Sequence, residues 1–307
     1  MAKKIVLAGG SGFLGENLAD YLQHRNYDIV ILSRQPEKVE KGIRYIQWDG
    51  RSISSWASEL DGSHAVVNFT GKSVNCIYTK KNREEIVSSR IDSVHVLKEA
   101  IDRCSRPPQA FIQAGSLAIF GDTTLLCDED SPHGSGFSVE VCQRWEEEFF
   151  KEKIPGTRQV LFRIGFALGR NGGAFEPLQK LASFNLGGTV GSGKQYISWL
   201  HVDDLNAMFL YAIESERFSG IYNATGPQPV TNKEFMKTLR AVMGKGWAPP
   251  TPSPFVWLGA YTLLRTEPSL ALTGRNCVPS RIVEQGFEFS YTSLEDAFRD
   301  LLQPVSE

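Results

Sequence analysis

No two cysteines of this 307-residue chain are spaced as CxxC, and its five (Cys76, Cys104, Cys127, Cys142 and Cys277) are scattered and odd in number. That usage excludes a disulfide framework and ordinary zinc spacing, and fits a reducing cytosol. The five histidines are dispersed as well, so no metal cluster is readable. Basic excess is also missing. Thirty-three Lys+Arg stand against 35 Asp+Glu, a formal charge of −2, which leaves little to hold a phosphate backbone and argues against nucleic acid. The longest apolar stretch, Phe255 to Leu264, is about ten residues, roughly half of what a helix needs to cross a bilayer. The apolar run at the amino terminus spans about four residues before entering glycines, which reads as a strand meeting a loop rather than a signal peptide. The expectation is a cytoplasmic protein with a small-molecule substrate, no nucleic acid and no membrane; a homodimer stays open.

What remains is ordinary globular composition, 41% apolar and 22% charged. At about 150 residues per domain, the length suits two units or one α/β core with an elaborated second lobe. Ile5–Ala8, Asp28–Leu32, Ile43–Gln47, Ala65–Phe69, Ala110–Ala114 and Gln159–Arg163 read as short apolar strands. Helical patterns at Phe13–Arg25, Lys80–Arg103 and Val139–Lys153 lie between them. Strands alternating with helices predict a doubly wound parallel sheet. After about Gly165 glycine clusters mark loops, Leu205–Glu214 and Lys233–Met243 read as helices, and prolines at 249–254 form a rigid connector before a last helix at Leu294–Leu302. The fold class expected is therefore α/β. A dinucleotide-binding Rossmann domain occupies residues 1–165, later strands from about 198–225 join it, and a smaller C-terminal substrate lobe spans 166–307.

The strongest motif is Gly9-Gly10-Ser11-Gly12-Phe13-Leu14-Gly15, directly after the first strand and opening the first helix. Glycines there permit a tight turn, close backbone approach to a pyrophosphate, and anion placement at a helix N-terminus. The spacing is GxxGxxG; packing duties alone are the bland alternative. The end of the second strand selects the dinucleotide. An NAD site expects an acid about 20 positions downstream to hold the ribose hydroxyls. Here the chain reads Leu32-Ser33-Arg34-Gln35, and Asp28 sits at the strand's other end. Arg34 can engage a 2′-phosphate bidentately, which favours NADP(H). The competing reading makes Arg34 a solvated loop charge.

These residues, with Asn68-Phe69-Thr70-Gly71, Gly115-Ser116-Leu117-Ala118-Ile119-Phe120-Gly121, Trp199-Leu200-His201-Val202-Asp203-Asp204-Leu205 and Tyr222-Asn223-Ala224-Thr225-Gly226, make the chain resemble the extended short-chain dehydrogenase/reductases. Ser88-Ser89-Arg90, Asp128-Glu129-Asp130-Ser131-Pro132 and Val141-Cys142-Gln143-Arg144-Trp145-Glu146 resemble an atypical branch, the "epimerase family protein" group. Its bacterial members are often labelled cell-division inhibitors or nucleoside-diphosphate-sugar epimerases. The resemblance implies an oxidoreductase or epimerase-like activity. It places Phe69, Thr70 and Gly71 beside the adenosine half, Arg90 near the nicotinamide with Glu85 as its partner, and Ala167 where the backbone passes the nicotinamide.

The superfamily's chemistry uses a Tyr-xxx-Lys pair beside a Ser or Thr. Ser116 matches the Ser/Thr position, but no YxxxK occurs in the chain. Alignment through Trp145-Glu146 puts Ser138 and Cys142 where tyrosine and lysine are expected. Three readings stay open: another acid/base (Glu129, Asp130 or Cys142), a reduction whose proton comes from water, or NADP(H) binding without turnover. Cys142 reads better as a buried structural thiol, and the run Asp128-Glu129-Asp130 as a solvated turn.

Overall fold

The computed structural model describes residues 2–170 and 172–303. Its strands are β1 (Lys4–Ala8), β2 (Asp28–Ser33), β3 (Lys38–Glu40), β4 (Ile43–Gln47), β5 (Ala65–Asn68), β6 (Ala110–Ser116), β7 (Leu126–Cys127), β8 (Arg158–Ile164), β9 (Phe166–Leu168), β10 (Tyr196–Ile197), β11 (Trp199–His201), β12 (Gly220–Ala224), β13 (Val230–Thr231) and β14 (Asn276–Cys277). The helices are α1 (Phe13–Gln23), α2 (Lys80–Asp102), α3 (Phe137–Phe150), α4 (Phe175–Ser183), α5 (Val202–Glu214), α6 (Asn232–Val242), α7 (Ser253–Gly259), α8 (Ser269–Leu272), α9 (Ser280–Glu284) and α10 (Leu294–Leu302). Among the described residues no helix is long and apolar enough to cross a membrane.

Eight strands form the central sheet in the order β12-β8-β6-β5-β1-β2-β4-β3. All neighbours pair in parallel except β3, an antiparallel edge strand on β4. The inner strands are buried on both faces, which is why they read as continuous apolar runs rather than alternating ones. Leu18, Ala19 and Leu22 of α1 join Leu205, Met208 and Phe209 of α5 on one face. Val94, Leu97 and Ile101 of α2 join Trp145 and Phe149 of α3 on the other. The architecture is a doubly wound Rossmann sheet, as its alternation of elements predicts.

A separate core built on Phe175, Trp199, Phe235, Leu239 and Phe298 holds the C-terminal segments together. Two short pairings bind that region to the sheet's carboxyl edge: β9 lies parallel to β11, and β14 lies parallel to β7 with Cys277 opposite Cys127. The chain runs β1, β2, β4 to one side and then crosses back to β5 on the other side of β1. The strand order therefore reverses between β1 and β5, where open α/β sheets form their ligand crevice. Gly9 and Phe69 follow the carboxyl ends of these two strands, and the Phe69 amide donates to the Ala8 carbonyl at 2.8 Å.

Candidate functional site

The loop after β1 is folded by its glycines. Gly9 has φ +68°, and a Cβ there would come 2.7 Å from Thr70 Oγ1. Its amide donates to the Leu32 carbonyl at 2.8 Å, tying the loop to the end of β2. A Cβ on Gly15 would overlap the backbone of Gly10, so α1 packs directly on the turn. Gly12 differs: nothing lies within 4 Å of where its Cβ would stand. It is also the N-cap of α1 and supplies no side-chain hydrogen bond to the first turn. Free first-turn amides at the positive end of a helix dipole form an anion site. Phe13 turns its ring toward Gly169 and Gly173, in the loop after β9.

Across the crevice, Asn68 shapes the loop after β5. Its Nδ2 donates to Gln113 Oε1 at 2.9 Å and Ser93 Oγ at 3.2 Å, while its Oδ1 accepts from the Thr70 amide at 3.0 Å. Phe69 packs edge-on to Phe209 at 5.2 Å. The Thr70 hydroxyl beside Gly9 is buried without a hydrogen-bond partner among the described residues. A buried orphan hydroxyl costs roughly 1–3 kcal/mol unless a ligand satisfies it. An open helix start, a glycine cradle and this hydroxyl fit the pyrophosphate of a dinucleotide.

At the end of β2, Ser33 is buried and its hydroxyl accepts from the Gln35 amide at 3.2 Å. Arg34 stands exposed at this corner, two residues past the carbonyl that anchors Gly9. No described carboxylate pairs with it, whereas Asp28 at the opposite end of the strand faces Arg44 at 3.9 Å. Its guanidinium is thus available to a phosphate near the glycine loop.

The expected pairing of Glu85 with Arg90 is corrected by the structure. Glu85 pairs with Lys72, whose Nζ also donates to Asn82 Oδ1 at 2.8 Å. The reason is helical phase: five residues apart, Glu85 and Arg90 face different directions on α2. Arg90 instead turns inward behind Gly71, donating through Nη1 to the carbonyls of Lys72 (3.1 Å) and Ile86 (2.9 Å). Its guanidinium lies 4.9 Å from the Trp145 ring centre, and burial lowers its pKa. Ala167, on β9, pairs with Leu200 at the junction between the sheet and the C-terminal core.

Ser116 and the three acid/base candidates occupy different settings. Ser116 ends β6 and is half-buried; its Oγ accepts from the Ala118 amide at 3.1 Å, which leaves its own proton free to donate. Cys142 is buried against Phe120, Cys127 and Cys277, and burial pushes its thiol up to about 12. It is a neutral sulfhydryl near pH 7, unlike an activated thiolate. Glu129 does not sit in a solvated turn. It is buried, its carboxylate accepts from the Asn223 amide at 2.9 Å and the Arg281 amide at 3.3 Å, and its carbonyl accepts from Arg163. Burial raises its pKa. Asp130 stays exposed and pairs with Arg281.

Sequence reasoning passed over two nearby groups. Tyr78 lies just before Thr79, the N-cap of α2, and its ring meets Phe137 edge-on at 5.1 Å. Its hydroxyl is buried with no hydrogen-bond partner among the described residues. The cap residue was the one local signal for Tyr78. Arg275 comes from the segment entering β14, where nothing in the surrounding sequence marks it. Beneath these, Arg163 and Glu146 form a buried bidentate pair, both contacts 2.8 Å, joining β8 to α3.

Comparison with known proteins identifies the family and the fold. Residues 5–140 match the model of the NAD dependent epimerase/dehydratase family, and residues 251–301 match a domain of unknown function, DUF1731. Epimerase family protein YfhF of Bacillus subtilis is 32% identical over 304 residues, covering 97% of this chain and 97% of that protein. Epimerase family protein SDR39U1 of Homo sapiens is 31% identical over 306 residues, covering 97% and 99%. The crystal structure of that human protein with NADPH superposes with a TM-score of 0.86 at 29% identity, covering 97% of this chain and 98% of that one.

Proposed function

Because the chain belongs to the NAD dependent epimerase/dehydratase family, as its full-length relatives establish, we propose that it is an NADP(H)-dependent oxidoreductase or epimerase-like enzyme. Its substrate is a small molecule held between the carboxyl edge of the sheet and the C-terminal region. The observation that carries this reading is the open face of Gly12 at the start of α1, with Arg34, which no described carboxylate pairs, just past the end of the neighbouring strand β2. The first-turn amides of Phe13 and Leu14 would hold the pyrophosphate, with Gly9 and Gly15 letting the backbone close in. Ser33 and Arg34 would take the 2′-phosphate. Phe69, Thr70 and Gly71 would line the adenosine side, and Ala167 with Arg90 the far end. The human relative, solved with NADPH, supports this choice of dinucleotide. When bound, the nicotinamide supplies or accepts a hydride.

On this reading residues 1–165, joined by β12, form the dinucleotide domain, and the later segments form the substrate lobe. Ser116 donates its free proton to a substrate oxygen at the rim of β6. Glu129 is a less suitable proton carrier, since its carboxylate is occupied by two backbone amides. The buried thiol of Cys142 is less suitable still. A second reading, a non-catalytic NADP(H)-binding regulator, is favoured by one observation, the absence of YxxxK. Mixing the purified protein with NADPH and a panel of carbonyl, quinone and nucleotide-sugar compounds separates the two. Turnover that falls in S116A supports the enzyme; NADPH binding without turnover across the panel supports the regulator.

A further inference from the structure

Three partly buried polar side chains, Tyr78, Arg90 and Arg275, converge on one stripe of α3. Ser138, Cys142 and Trp145 stand at i, i+4 and i+7 and so share a face of that helix. Each neighbour arrives from a different element. Tyr78, ahead of α2, packs on Phe137, the residue before Ser138. Arg90, inside α2, lies over Trp145. Arg275 enters β14 two residues before Cys277, on the same side of the strand, and Cys277 packs against Cys142.

The polar accounting of this cluster does not close. The Tyr78 hydroxyl and Arg275 Nε are buried with no hydrogen-bond partner among the described residues. Arg90 spends only Nη1, on two carbonyls. Neither guanidinium forms an ion pair with a described carboxylate. Asp122, whose charge reaches Arg275 without forming an ion pair, accepts from the Gly274 amide at 2.8 Å, and Glu267 accepts from the Tyr78 amide at 3.4 Å. Both arginines are partly buried, and neither guanidinium has a described carboxylate in ion-pair contact to offset its charge. Two such cations flanking a phenol donor, with Arg275 Nε and the Tyr78 hydroxyl left unpartnered among the described residues, describe a site whose counter-charge arrives with a ligand.

We infer that Arg90, Arg275 and Tyr78 form an oxyanion pocket that receives a carboxylate or phosphate group of the substrate. The inference deepens the proposed function and rests on its placement of the substrate between sheet and C-terminal region. Guanidinium forks match either anion bidentately, and the phenol supplies a third donor. The substrate class becomes a small anionic compound whose charged group docks against α3.

The test uses the full chain with acetate and with inorganic phosphate, each titrated against chloride at constant ionic strength, with and without saturating NADPH. A ligand that binds only the folded state raises Tm in a saturable way. Wild type is expected to show saturable stabilisation by at least one of the two anions, the tighter one naming the group. R275Q and Y78F are each expected to weaken that binding at least tenfold while holding NADPH affinity within about twofold. Y78F keeps the ring that packs on Phe137, so it remains informative if R275Q does not fold. No saturable binding in wild type, or unchanged anion affinity in both variants, overturns the pocket. Loss of NADPH binding in wild type would instead overturn the proposed cofactor, and the anion titration reads separately from it.

Discussion

Gly12→Ala separates a folding role from a binding role within one loop. Gly12 has φ −103° and ψ 175°, a conformation alanine adopts freely, and its Cβ would meet nothing within 4 Å. Gly→Ala at such a position gains about 0.4–1 kcal/mol from the unfolded chain. Losing glycine at an N-cap costs about the same, since alanine is the poorer cap. The two offset, so Tm is expected to stay within about 2 °C of wild type. The added methyl, however, projects into the open space before the first-turn amides. If a pyrophosphate sits there, its close approach is blocked, and NADPH affinity is expected to fall at least tenfold, about 1.4 kcal/mol. Gly15→Ala provides the contrast: its Cβ overlaps Gly10, so the backbone shifts, at a cost of about 1–3 kcal/mol. The assay pairs thermal unfolding with NADPH titration by fluorescence. A G12A protein that melts like wild type and binds NADPH equally well would refute the placement of the cofactor on this helix.

Arg34→Ala is expected to weaken NADPH binding about tenfold or more while leaving NADH binding nearly unchanged, since only the 2′-phosphate is lost as a partner; equal losses for both would remove Arg34 from the discrimination. Arg163→Met leaves the Glu146 carboxylate buried and unpaired, and should cost about 3–5 kcal/mol in denaturant unfolding. His201 is buried, stacked on Tyr291 at 3.9 Å, and burial lowers its pKa. Its folded pKa lies below its unfolded one, so the stability it contributes is complete above about pH 6.5 and is lost as pH falls through the folded value. Wild type should therefore lose Tm more steeply than H201Q below about pH 6.5, and parallel curves would contradict this.

The sheet was legible because its signals are local. Each inner strand is buried on both faces and so shows as an unbroken apolar run, and the glycine loop follows the first of them directly. Elements without such a signature were not legible. Edge strand β3 is Lys38-Val39-Glu40, exposed at all three residues, and its pairing with β4 leaves no pattern. α4 lies among glycines that read as loops. The glycine turn was readable because its motif is local, from Gly9 to Gly15. The site was misread where a distant segment supplies the partner. Glu129 sits in an acidic run of solvated character, yet amides from β12 and α9 bury it. Glu85 was matched to Arg90 on its own helix because Lys72 approaches from the preceding loop. Tyr78 and Arg275 meet only through α3, which no spacing along the chain reveals.

Parallel titration of the purified protein with NADPH and NADH at one ionic strength tests the central claim most directly. The geometry of Gly12 and Arg34 predicts saturable binding of both, with NADPH at least tenfold tighter. Equal affinities, or no binding of either dinucleotide, would contradict it.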